Sequence, residues 1–152
     1  RVKNSILSNF CYLFSDKSYP GMPKILLNTI SEDSFFISDI KVTPIRVMHK
    51  NLPIFGYRIG DFCYITDANF IDEKEIKKMQ NLEVLVINSL QLSPHISHFN
   101  LEQTLSVIDI IKPKKAYLTH IGHAMGLHEI VNSKLPENVY LAYDNLDINI
   151  KI

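Results

Sequence analysis

The alternation of apolar and polar positions divides this chain into short elements whose period changes along its length. Residues 5–14 repeat at helical spacing and carry Phe10, Tyr12 and Phe14 on an aromatic side. Tyr19-Pro20-Gly21-Met22-Pro23 reads as a turn from its Pro and Gly content. Strand-like runs follow at 24–30, 35–48 and 54–59. Gly60-Asp61 then separates residues 55–59 from Phe62-Cys63-Tyr64-Ile65, the pattern of a tight hairpin.

From Asp67 onward the rhythm becomes strand–helix–strand. Asp72 and Glu75 read as a capping box, with Ile71 and Ile76 as its hydrophobic staple, so the pattern predicts a helix over 72–80. Residues 83–88 form a short continuous apolar strand of the kind buried on both faces. Asn100 and Gln103 cap the next helix, whose Leu101, Leu105 and Ile108 repeat at helical spacing and which Pro113 ends. Residues 115–119 are a further buried strand, a short helix follows Gly126, and strands at 139–142 and 146–152 close the chain. No repeat, low-complexity segment or internal linker interrupts this order, so residues 1–152 are expected to form a single unit.

Composition narrows the class. With 152 residues, 46% of them hydrophobic and 21% charged, the chain can bury a core of its own. Its 16 basic and 16 acidic residues cancel, which argues against nonspecific binding to nucleic acid or to an anionic membrane. Cys11 and Cys63 stand alone, with no CxxC, and fit a reducing, cytoplasmic compartment. No apolar run reaches the roughly 20 residues of a membrane span. The chain opens on Arg1 rather than Met, the start expected of a piece of a longer protein.

The candidate chemistry sits at strand ends. Asp67 follows Tyr64-Ile65-Thr66, His95 and His98 lie in the loop after residues 84–87, His120 follows Tyr117-Leu118-Thr119, and His49 follows Val47-Met48. In a sheet built from crossover units the carboxyl ends of the strands share one rim, where ligands bind. Imidazole and carboxylate gathered there are the donors of a catalytic metal site. Each has a plain alternative when taken singly: Asp67 as a cap or turn, His95 and His98 as loop residues, His120 as a core histidine. His123 and His128 lie in a polar, helical context.

Four of these segments, in order, resemble the metallo-β-lactamase-fold metallohydrolases, and within them the phosphodiesterase branch. His49, followed by Gly56-Tyr57 and a strand, resembles the family's third metal motif; Thr66-Asp67 resembles the fourth and Thr119-His120 the fifth. Ser97-His98-Phe99, with His98 placed 22 positions before His120, matches the extra histidine of the phosphodiesterase branch. The fold implied is α/β: the second half of an αβ/βα sandwich, a mixed sheet with helices covering one face. The family's His-x-His-x-Asp-His signature is absent from the chain, so the resemblance implies a C-terminal half without its N-terminal half.

The resemblance also implies roles. In the complete enzyme two Zn²⁺ or Mn²⁺ ions would be held in part by His49, Asp67 and His120, with Asp67 between them. His98 would act on the leaving oxygen as a proton donor or cation. His95, Lys50 and His123 are candidates for substrate or supporting contacts, and Arg58 for a phosphate contact. The chain alone is expected to bind one ion weakly at most and to be inactive. His49 and Asp67 are only 18 positions apart, leaving no room for the tRNA-gripping arm of the RNA-processing relatives. A small cyclic or linear phosphodiester is therefore the substrate expected, ahead of tRNA. A non-enzymatic assembly domain with a degenerate metal fold is the alternative from another class. Association is expected as a homodimer or with the missing half.

Overall fold

The computed structural model describes residues 2–14, 21, 23 and 25–150. Their contacts gather into two compact units, Arg1–Ser31 and Glu32–Ile152. In the first, helix α1 spans Val2–Asn9 and a 3₁₀ turn spans Cys11–Phe14, breaking at Phe10 the single helix expected over 5–14. Of the turn expected at 19–23, Tyr19, Pro20 and Met22 lie outside the described residues, and Gly21 sits in a turn at φ +94°. Residues 25–30 form no strand, contrary to their apolar pattern. Ile25 and Leu26 are exposed, and an apolar run without a pairing partner gains nothing from extension.

The second unit is built on one mixed sheet. The run expected as one strand over 35–48 is a hairpin: Ser38, at φ +55°, turns the chain between β1 (Phe35–Ile37) and β2 (Ile40–His49). Strand β3 (Leu52–Ile59) returns antiparallel to β2, and the Gly60-Asp61 turn leads into β4 (Phe62–Ile65) as the sequence predicts. A two-residue strand, β5 (Phe70–Ile71), pairs with the far end of β2. Strands β6 (Val84–Asn88), β7 (Lys115–Thr119) and β8 (Val139–Leu141) then add parallel to β4 in that order. The carboxyl ends of β4, β6 and β7 therefore share one rim. Strand β2, two antiparallel steps from β4, ends at the same rim.

The crossovers are helical. The first is α2 (Glu73–Ile76), tightening into a 3₁₀ turn at Lys77–Met79, so the helix is shorter than 72–80. Its capping box is not formed. Asp72 caps through Lys74 N–H at 2.9 Å, but the Glu75 side chain turns inward, accepting Arg46 N–H at 2.8 Å and the Lys78 ammonium at 2.8 Å. Strands β1 and β5 occupy the two ends of β2's outer edge, and the Glu75 carboxylate satisfies an amide on the same strand between them. Helix α3 (Leu101–Ile111) carries the capping box expected of Asn100 and Gln103 and ends on Lys112 at φ +54°, ahead of Pro113. Helix α4 (His128–Asn132) precedes β8; residues 146–150 form no strand, and 151–152 lie outside the described residues.

The core lies under one sheet face. Cys63, Ile65, Leu85, Ile87, Ala116 and Leu118 are fully buried there and cluster with Ile108 and Ile111 of α3. At about 25 cal/mol per Å² of apolar surface, each such aliphatic side chain contributes roughly 1.5–3 kcal/mol. Gly56 belongs to this face because a Cβ there would stand 2.8 Å from the Tyr64 carbonyl oxygen and from Ile65 Cγ1. On the opposite face the register aligns Tyr57, Tyr64, Val86, Tyr117 and Tyr140 in one row across five strands. Among the described residues, no helix is long and apolar enough to cross a membrane.

Candidate metal centre

At the carboxyl rim His49, Asp67, His98 and His120 meet. His49 is the last residue of β2, and its Nδ1 lies 3.0 Å from the carbonyl oxygen of Asp67 and 3.1 Å from that of Ser97. A carbonyl only accepts, so Nδ1 carries the proton and donates to both. The neutral ring then keeps its lone pair on Nε2, the nitrogen left free for a ligand.

Asp67 and His120 follow β4 and β7, and each takes φ +58°. That left-handed conformation is uncommon outside glycine and costs on the order of 1–3 kcal/mol at each position. At Asp67 the strain is held by a clamp that the sequence pattern did not single out. Fully buried Asn88, at the end of β6, accepts Ala68 N–H at 2.8 Å and donates its amide to Ala68 O at 2.9 Å. Ala68 O also accepts Phe99 N–H at 2.7 Å, tying the Asp67 turn to the His98 loop. A buried asparagine amid Val84-Leu85-Val86-Ile87 was the available signal, since an amide is buried only with its hydrogen bonds made.

The Asp67 carboxylate is the hub. Its Oδ2 accepts the Thr66 hydroxyl at 2.9 Å, while Oδ1 lies 3.3 Å from His98 Nε2 and 3.5 Å from His120 Nε2. Partial burial works against its charge, but the Thr66 and His98 hydrogen bonds and the His120 and His98 rings outweigh it, holding the carboxyl below the usual range. His98 is pulled the other way from a charged ring: burial lowers its pKa, His120 and His49 add to that, and the Asp67 contact only partly compensates.

The ring of His98 lies between two others, edge-on to His49 at 4.8 Å and stacked on His120 at 4.7 Å. Among the described residues, His49, Asp67 and His98 form a group of three potential metal donors, with one ligand atom from each within 4.8 Å of the others. Imidazole and carboxylate are the donor types of a borderline divalent ion such as Zn²⁺, and His120 Nε2, outside that group but 3.5 Å from the same Asp67 oxygen, is a further imidazole at the carboxylate. His95 approaches His98, Nδ1 to Nδ1 at 3.1 Å.

The weaker candidates are placed elsewhere. His123 is exposed on a 3₁₀ turn (His123–Met125), and His128 bonds Leu141 O from α4. Lys50 is exposed in the β2–β3 turn, with its backbone N–H bonded to Asn69. Arg58 is not available to phosphate: its guanidinium is consumed by the carbonyls of Gly60, Lys78 and Gln80 and by Asp61, at the hairpin end of β3. Beside His120 a cleft of about 220 Å³ opens, lined by Thr119, His120, Ile121, Ala142, Tyr143 and Asp144.

The chain belongs to the β-lactamase superfamily domain family, whose model matches residues 1–121. It resembles the crystal structure of a diphosphatase from the PhnP family, with 28% identity and a TM-score of 0.84 over 95% of this chain and 53% of that one. The human tRNase Z short form shares the fold at 18% identity and a TM-score of 0.61, over 80% of this chain and 48% of that one. Among curated proteins, an octanoyltransferase of Porphyromonas gingivalis is 34% identical over 148 residues. Those residues are 96% of this chain and 30% of that protein, so the chain spans under a third of the curated relative and about half of the solved diphosphatase.

Proposed function

We propose that this chain supplies one side of the active centre of a metal-dependent phosphodiesterase. The observation that carries the reading is the convergence of His49, Asp67, His98 and His120 on one rim, with His49 Nδ1 committed to two carbonyls. His49, Asp67 and His120 are assigned as ligands of Zn²⁺ or Mn²⁺. A divalent ion held there supplies Lewis-acid polarisation of the phosphoryl group. His98 lends its Nε2–H to the leaving oxygen, His95 supports it from the loop, and the Thr66 hydroxyl keeps Asp67 ionised. The cleft beside His120 receives the organic part of the ester. At about 220 Å³ it is smaller than the roughly 300–1,000 Å³ of sites for drug-sized ligands, which favours a small, cyclic or linear phosphodiester. The chain length between His49 and Asp67 is used up by the β3–β4 hairpin, which also argues against an RNA substrate.

The resemblance to a diphosphatase over half its length supports a whole protein with that kind of chemistry. Octanoyl transfer is not assigned to this chain: the alignment takes in 30% of that relative, and the side chains gathered here are metal-type donors. The sheet face bearing the tyrosine row is assigned as an association surface, for the remainder of the fold or for a second copy. On it Ile37, Ile40 and Tyr64 remain exposed at 61%, 36% and 42%.

Titration of the chain with Zn²⁺ and Mn²⁺ by calorimetry tests the reading. A single weak site, lost in Asp67→Ala and His49→Ala, is expected, with negligible hydrolysis of bis(p-nitrophenyl) phosphate. Undiminished binding in both variants refutes the ligand assignment. Brisk, chelator-sensitive hydrolysis by the chain alone refutes the need for further ligands. Absence of any binding favours a non-enzymatic assembly domain.

A further inference from the structure

We infer that Ser97 is a positioning residue that holds His49 and His98 in opposite tautomers, making one a bare-nitrogen donor to metal and the other a hydrogen-bond donor. The inference rests on the metal-centre reading above and separates two histidines that both lie against Asp67, His49 at its carbonyl and His98 at its carboxylate.

Ser97 touches both rings through different groups. Its backbone carbonyl lies 3.1 Å from His49 Nδ1 and shares that proton with the Asp67 carbonyl at 3.0 Å, which leaves His49 Nε2 bare. Its hydroxyl lies 2.9 Å from His98 Nδ1. A hydroxyl can donate or accept, so the other end of the His98 ring decides its sense. His98 Nε2 faces Asp67 Oδ1 at 3.3 Å, and an ionised carboxylate only accepts. Nε2 must therefore carry the proton, and in the neutral ring Nδ1 is the bare nitrogen that accepts from Ser97 Oγ–H.

His95 does not replace Ser97 in this role. Its Nδ1 is 3.1 Å from His98 Nδ1 and 3.4 Å from both the Ser97 amide and the Ser97 hydroxyl. Accepting the amide proton it has none to give, so the approach of the two Nδ1 atoms is a contact of two lone pairs. The Ser97 hydroxyl, nearer to His98 at 2.9 Å, supplies the proton there. Ser97 thus supplies three groups to three rings: its carbonyl to His49, its hydroxyl to His98 and its amide to His95. Both rings it fixes flank Asp67. His49 presents a lone pair, as a ligand must; His98 presents an N–H, which suits it to an oxyanion or leaving oxygen and unsuits it as a ligand.

Two-bond ¹H–¹⁵N correlation spectra of the metal-free, ¹⁵N-labelled chain, near pH 8 where histidine is neutral, read each tautomer directly. The expected result is Nδ1–H for His49 and Nε2–H for His98. In Ser97→Ala, His49 should keep its form, because the carbonyl remains. The His98 tautomer ratio should fall roughly fivefold with one hydrogen bond lost. Ser97→Thr should restore it. If Ser97→Ala does not fold, Ser97→Cys, a weak donor of similar size, replaces it with the same shift expected. An Nδ1–H form for His98 in the parent chain, or an unchanged ratio in a folded Ser97→Ala or Ser97→Cys variant, overturns the inference. The expected tautomers together with no Zn²⁺ binding would support the role of Ser97 and sink the metal-centre reading instead.

Discussion

Replacing Asn88 tests whether the Asp67 turn is held by a clamp or merely packed. Asn88→Ala removes both hydrogen bonds to Ala68. Ala68 O keeps Phe99 N–H as a partner, but Ala68 N–H is left as a fully buried orphan. The orphaned donor costs about 1–3 kcal/mol and the second lost bond about 0.5–1.5 kcal/mol, so a loss of about 1.5–4.5 kcal/mol is expected. Asn88→Asp, nearly isosteric, keeps the acceptor for Ala68 N–H and sets its second oxygen against Ala68 O, so it should be no milder. Asn69→Ala is the control, since that amide bonds Lys50 N–H at an exposed turn and should cost well under half as much. Urea denaturation followed by far-UV circular dichroism gives the free energies, and amide exchange at Ala68 reports the site itself. Exchange there should accelerate in Asn88→Ala beyond the change in global stability, as the clamp opens locally. A loss under about 0.5 kcal/mol, below the smallest single-bond value, with Ala68 still protected would refute the clamp.

Three further outcomes are expected. Gly56→Ala should destabilise by about 1–3 kcal/mol, read from the urea midpoint, because the new Cβ meets backbone at Tyr64 that cannot give way. In chelator the chain should lose stability on acidification in two windows. His98, with its pKa lowered in the fold, contributes stability present above the ordinary value of about 6.5 and lost as pH falls below it; Asp67, also lowered, does the same below about 3.8. Denaturation midpoints across pH check this; His98→Asn should flatten the first window and, because the His98 contact helps hold Asp67 low, shrink the second. Finally, sedimentation at micromolar concentration should show self-association that Tyr64→Lys weakens on the tyrosine-row face; a clean monomer that binds no hydrophobic dye would remove the assignment of that face.

The rim was legible in the sequence because strand ends are written in two places at once. Apolar runs such as Val84-Leu85-Val86-Ile87 mark the strand, and the polar residue that follows marks the exit; β6, β7 and the capped α3 accordingly stand where the pattern put them. The described residues 25–30 and 146–150 carried the same apolar signal, but a strand needs a neighbour, and pairing is not a local property. Glu75 misled for a related reason: its spacing from Asp72 suits a capping box, yet an unfilled backbone amide at Arg46 competes for the same carboxylate. Arg58 looked like a phosphate contact by residue type alone and is spent on carbonyls. Asn88 and Ser97 drew no role from the sequence because their work is done on backbone and ring nitrogens rather than on a ligand, although the asparagine at the end of an apolar run was a usable signal.

The site loops are joined by backbone hydrogen bonds independently of any ligand. Asn69 N–H reaches Met48 O beside His49, Phe99 N–H reaches Ala68 O beside Asp67, and Leu90 N–H reaches Phe99 O beside His98. Gly122 N–H then reaches Leu90 O and Ser89 N–H reaches Thr119 O, on either side of His120. These bonds form a belt across the ends of β2, β4, β6 and β7, and each histidine or aspartate of the site stands one or two residues from a link. The backbone that carries the donors on this side of the centre is thus fixed by the fold. A preorganised donor set loses little conformational entropy on binding, so its affinity is limited by the number of donors. If the chain binds metal weakly, the shortfall lies in ligands that this side does not contain, and adding those ligands, rather than ordering these, is what should raise affinity.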